Sequence, residues 1–96
     1  MEANMYKLPS HRGVTYCMTR TVAKNVEANL VKRVKGYVSV YISGDYLVCD
    51  IQHSGIFYRF TQPQIAQLCF EGASSELIAS TIYKDYRVFV NKKLFK

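Results

Sequence analysis

The sequence predicts one α+β domain built on a three-stranded antiparallel meander, and three observations predict it. Two tight-turn signals, Gly44-Asp45 and Ser54-Gly55, divide residues 37–61 into segments of strand length. Within those segments apolar residues alternate with period two, the mark of a sheet with one buried face. Before them runs a stretch whose apolar residues recur at helical spacing, and shorter helical patterns follow.

The strands are expected at about 37–43, 46–53 and 56–61. Glycine at the first central position suits a two-residue type II′ turn at Gly44-Asp45, because that position needs φ > 0. A two-residue loop there pairs Ile42 with Leu47, Val40 with Cys49 and Val38 with Ile51. The same count at Ser54-Gly55 pairs His53 with Ile56, Ile51 with Tyr58 and Cys49 with Phe60. Both turns put the apolar residues on one face, and a one-residue slip would turn them all to the other. The opposite face carries Tyr37, Ser39, Tyr41, Tyr46, Val48, Asp50, Gln52, Phe57, Arg59 and Thr61, with Asp50 and Arg59 opposed as a cross-strand ion pair. A face that is aromatic, polar and basic at once is a binding platform or a surface packed under a helix.

Residues 1–13 read as an irregular lead-in, and 14–18 as a candidate edge strand. From about 19 to 35, Val22, Ala23, Val26, Leu30 and Val34 form a helical stripe, closed by Gly36, with Lys24, Lys32 and Lys35 on the far side. After the meander, Pro63 suits a first helical turn, and Ile65, Leu68 and Cys69 give a short helix ended by Gly72. Ser74 or Ser75 caps a second short helix reaching about Tyr83, with a further candidate strand at 86–90 and a basic, mobile tail at 91–96. The alternative is that 77–90 is mostly extended, since it is rich in strand formers.

Length and composition narrow the function. Ninety-six residues allow one domain with a core, 1–96, and 49% apolar with 21% charged residues is ordinary for a folded chain. Three widely spaced cysteines suggest a reducing compartment rather than a disulfide framework. With no secretory leader and no apolar run of bilayer length, a cytoplasmic protein without membrane contact is expected. The net charge of +6 is uneven: residues 12–35 carry six basic groups against Glu27, and residues 86–96 carry four against none. Charge concentrated in two segments points to an anionic partner, nucleic acid first.

Segment 55–68, with Tyr58-Arg59-Phe60, Pro63, Ile65 and Leu68, resembles the KTSC domain, a short module at the end of some lysyl-tRNA synthetases and in stand-alone bacterial proteins. That family has a strand pair, a tyrosine-any-tyrosine signature, a proline, a short helix, a small-residue turn and an isoleucine-to-tyrosine segment. Here Phe60 replaces the second tyrosine, while Ser74, Ser75, Ile82 and Tyr86 fall where the later part would. The resemblance spans about 37–90 and leaves the basic N-terminal third outside it. It implies RNA binding and lends no catalytic residue.

Metal and catalytic chemistry find little footing in the pattern. Cys49 and His53 face the same way along a strand but about 13 Å apart, too far for one ion. No Cys–His or Ser–His arrangement, glycine-rich phosphate loop or paired carboxylates stands out, so neither enzyme activity nor a cofactor or metal is expected. Binding of RNA or single strands has more support: Tyr37, Tyr41, Tyr46 and Phe57 to stack bases, and Arg59, Lys24, Lys32, Lys35, Lys92 and Lys93 to meet phosphates. The competing expectations are that these aromatics are packed under a helix, or that the chain is a protein-binding accessory or inhibitor of the kind mobile elements encode. That second role would use an open edge at 37–43 for a partner strand or a second copy.

Overall fold

The computed structural model describes residues 16–94, with side chains over 19–93. Its order is α1 (Tyr16–Arg33), β1 (Tyr37–Ser43), β2 (Tyr46–His53), β3 (Ile56–Pro63), α2 (Ile65–Phe70) and α3 (Ser75–Leu94). The sheet is antiparallel in the order β1-β2-β3. Val38 pairs with Ile51 and Ile42 with Leu47, and Ile51 pairs with Tyr58 and His53 with Ile56, which is the register read from the two turns. Gly44 alone has positive φ in the first turn, as type II′ requires, whereas Ser54 and Gly55 both do in the second, the type I′ pattern.

Helices α1 and α3 cover one face of the sheet. Ala23, Val26, Leu30 and Val34 from α1 and Ile78, Ala79, Ile82 and Tyr86 from α3 close over Val38, Val40, Leu47, Cys49, Ile51 and Tyr58. Tyr58 is tied to α3 at three points. Its hydroxyl donates to Asp85 Oδ2 at 2.6 Å, and its ring meets Tyr86 edge-on and Phe89 at a tilt, at 5.3 and 5.2 Å between centroids. The two helices meet where Arg33 lies over the Tyr83 ring and donates to Ser80 Oγ, with Arg87 also against Tyr83.

Four expectations are corrected. Residues 16–18 belong to α1 rather than to an edge strand, since extending a formed helix adds a hydrogen bond per residue without a new nucleation cost. Residues 1–15 and 95–96, which include the expected lead-in and the end of the tail, lie outside the described residues. The second C-terminal helix is long, and 86–90 is helical: Ile78, Ala79, Ile82, Tyr86, Phe89 and Val90 continue one inward stripe, and packing on Tyr58 outweighs the strand preference of Tyr86, Val88 and Val90. Residues 91–94 are its last turn rather than a free tail, and Ser74 caps its start by accepting the Leu77 amide at 3.0 Å. Finally, Pro63 ends β3 instead of opening α2, a position a proline tolerates on an edge strand.

Gly36 lies beyond the helix end, which comes at Arg33. Its φ of +112° and the 2.4 Å that would separate a Cβ from the Gln52 carbonyl oxygen leave room only for glycine. The connection from α1 into β1 is thereby pressed against the end of β2.

Candidate nucleic-acid interface

Among the described residues no helix lies over the second face of the sheet. The register sets its side chains in four rows across the strands: Ser43, Tyr46 and Pro63; Tyr41, Val48 and Thr61; Ser39, Asp50 and Arg59; Tyr37, Gln52 and Phe57. Tyr37, Tyr41, Tyr46 and Phe57 are 64, 41, 47 and 49% exposed. Aromatic residues of this size are more often packed than open, so their joint exposure on one face is the main feature of the surface. Val48 is the exception at 7%, at the middle of the face in register with Tyr41 and Thr61.

Arg59 stands on this face with its charge already matched. Its Nε and Nη2 donate to the two carboxylate oxygens of Asp50 at 2.6 and 3.0 Å, a bidentate pair. That hydrogen bond, followed by the Asp50 charge, raises the guanidinium above its ordinary pKa. The same guanidinium lies 5.7 Å from the centre of the Phe57 ring. Arg59 is therefore a brace for the face more than an open phosphate contact.

The basic residues fall into separate groups. Lys24, with Arg20, lines a cleft of about 180 Å³ between α1 and β1 that also touches Tyr41, so one lysine of the ridge borders the tyrosine face. Lys32 is exposed on the last turn of α1, and Lys35 follows the helix two residues before Tyr37. Lys92 and Lys93 sit on the last turn of α3, with Lys93 Nζ 5.5 Å from the Phe89 ring centre. Because α3 runs from Ile78 beside Phe60 to Phe89 beside Tyr58, that turn lies on the helical side of the sheet and is not brought among the tyrosines.

Two further features bear on chemistry and on the edge. Cys49 is completely buried, and burial, then the charges of Asp50 and Glu27, push its thiol up to about 12, so it is protonated and inert at neutral pH. Glu27 of α1 reaches the outer edge of β1, where its Oε1 accepts the Val40 amide at 2.8 Å. The middle of the edge expected to accept a partner strand thus has its donor occupied.

Gln52 and Arg20 were not singled out from the sequence as candidate site residues. The signal for Gln52 was present, since the two turn registers by themselves place it between Tyr37 and Phe57. Arg20 had none, because its neighbourhood with Tyr41 depends on how α1 crosses the sheet. Among the described residues no helix is long and apolar enough to cross a membrane. No family model, curated protein or solved structure matches this chain. The likeness to the KTSC domain rests on motif residues, of which Tyr58 and Phe60 face the core.

Proposed function

We propose that this chain is a small non-enzymatic module that binds RNA or another single strand on the open face of its sheet. The observation that carries the reading is the exposure of Tyr37, Tyr41, Tyr46 and Phe57 together on one face. Stacking on such aromatics contributes about 1–3 kcal/mol per base and needs no particular sequence. Lys24, Lys32 and Lys35 supply the phosphate contacts, with Lys24 nearest the face, while Arg59 holds Phe57 in place. Duplex is disfavoured because a flat aromatic sheet reaches bases only when they are unstacked. The KTSC likeness agrees with an RNA-binding role, and free thiols at Cys49 and Cys69 suit a reducing, cytoplasmic setting.

The test is fluorescence anisotropy with labelled single-stranded RNA, single-stranded DNA and duplex DNA at two salt concentrations. Single strands should bind more tightly than duplex, Tyr41→Ala should weaken binding, and Lys24→Ala with Lys32→Ala should flatten the salt dependence. Absence of binding to every probe at low salt overturns the proposal. It would leave the alternative of a protein-binding accessory factor or homo-oligomer, which has less support at the β1 edge because Glu27 occupies the Val40 amide.

A further inference from the structure

The row of Tyr37, Gln52 and Phe57 ends the open face beside the Ser54-Gly55 turn, and there the surface sinks into an open groove. Its volume is about 410 Å³, at the lower end of the ~300–1,000 Å³ typical of small-ligand sites. His53, Ser54, Gly55 and Ile56 complete its lining.

Its proportions come from the sheet itself. Tyr37 and Phe57 stand on the outer strands in register with Gln52 on the middle one. Two strand spacings of about 4.8 Å put the flanking residues roughly 9.6 Å apart at their backbones. Two offset ring stacks of about 4.5 Å each span roughly 9 Å. At that ideal spacing the outer strands are far enough apart to admit one planar ring between side chains that rise side by side from them. Arg59, lying 5.7 Å from the centre of the Phe57 ring, braces one wall.

The floor is chemically unspent. Gln62 donates to the Pro63 carbonyl and Gln67 to Glu71, but the Gln52 side-chain amide has no hydrogen-bond partner among the described residues. That amide presents a donor and an acceptor side by side. Such a pair matches N7 and the N6 amino group of adenine, whereas guanine offers two acceptors at the corresponding positions. A purine also fills more of the groove than a pyrimidine and stacks over a larger area. Lys35, two residues before Tyr37, is exposed and stands at the end of the sheet where a phosphate of the same nucleotide would emerge.

We infer that this groove is a slot for one unpaired nucleobase, adenine before the others, stacked between Tyr37 and Phe57 and read by the Gln52 amide. This deepens the single-strand reading above and rests on it.

The experiment is anisotropy with labelled hexamers of adenylate, uridylate and cytidylate, on the intact chain and on Gln52→Leu, with Phe57→Ala as a wall variant. Gln52 is exposed, so Gln52→Leu should keep the thermal midpoint of the parent. The adenylate hexamer should bind at least about fivefold more tightly than the uridylate one, the low end for a bidentate amide–base contact. Gln52→Leu should erase that preference while leaving uridylate affinity within about twofold, and Phe57→Ala should weaken all three probes. Hexamers that bind in a way sensitive to Tyr41→Ala, yet without adenine preference or response to Gln52→Leu, overturn the slot and leave the platform standing. Failure of every hexamer to bind at low salt overturns both.

Discussion

The two faces of this sheet are made by the same three strands and differ by one residue of phase. On the middle strand Leu47, Cys49 and Ile51 are completely buried, while Tyr46 and Gln52, which flank them on the other phase, are exposed. The inner face meets α1 and α3, and its central residues, Val40, Leu47, Cys49, Ile51 and Tyr58, are closed off from water by apolar neighbours. On the outer face the aromatic groups meet polar and charged neighbours instead, Arg59 against Phe57 and Arg20 and Lys24 beside Tyr41, and among the described residues no helix closes over them. Stability is thus concentrated on one phase of the alternation, which leaves the other free to carry recognition at little cost to the fold.

The sharpest way to break that comparison is to truncate one residue on each face. Ile51→Ala should lose about 2–5 kcal/mol in urea unfolding, the range for opening a cavity in a packed core. That is a large part of the roughly 5–15 kcal/mol a domain holds in total. Tyr46→Ala, on the exposed phase, should lose less than about 1 kcal/mol. Equal losses would mean that the outer face is also structural.

A smaller effect is expected at the junction that joins the helical layer to the sheet. Gly36→Ala introduces a Cβ at a φ of +112° and 2.4 Å from a backbone oxygen of β2. It should cost more than the ~1 kcal/mol usual for such a substitution at positive φ, read as a drop in thermal midpoint. An unchanged midpoint would show that the end of β2 yields easily.

The inner face should also announce itself in alkali. Burial, then the hydrogen bond to Asp85 and its charge, raise the Tyr58 hydroxyl above the ordinary 10.0, and the Cys49 thiol rises from 9.0 to about 12. Both groups hold their protons more tightly folded than unfolded. Their stabilising effect is complete below the unfolded values and is lost as pH rises, first through the Cys49 window from 9.0 to about 12. Unfolding free energy should therefore be flat near neutrality and decline above about pH 9. Cys49→Ala should remove the first part of that decline, and Tyr58→Phe should weaken the fold at neutral pH by about 1 kcal/mol. A profile unchanged in Cys49→Ala would mean that water reaches the inner face.

The least costly change is at the β1 edge. Glu27→Gln keeps an acceptor for the Val40 amide and should lose only the charge-assisted part of the bond, under about 1 kcal/mol, whereas Glu27→Ala should lose about 1–2. Size-exclusion chromatography of Glu27→Ala reports on the edge directly. A shift to larger species would identify Glu27 as the group that keeps β1 from pairing with another chain.

How much was legible follows from how local each signal is. Turns, register, the Asp50–Arg59 pair and all strand limits but the end of β3, which runs on to Pro63, come from alternation and from turn residues a few positions apart, and the structure reproduces them. The split of Tyr37, Tyr41, Tyr46 and Phe57 from the core residues is legible for the same reason. The last turns of α3 were hidden because Tyr86, Val88 and Val90 are strand formers by type, and only the ring of Tyr58, 28 residues before Tyr86, shows that their spacing is helical. Lys92 and Lys93 went with them, from a free tail to the end of a helix.

By itself, then, the sequence determined a meander with two chemically different faces, because side-chain alternation and turn geometry act over neighbouring residues. Which face the helices would cover and that Glu27 would reach the β1 edge were decided only in three dimensions. Those outcomes depend on contacts between segments far apart in the chain, where the free energy lies in the fit of surfaces rather than in the preference of any residue.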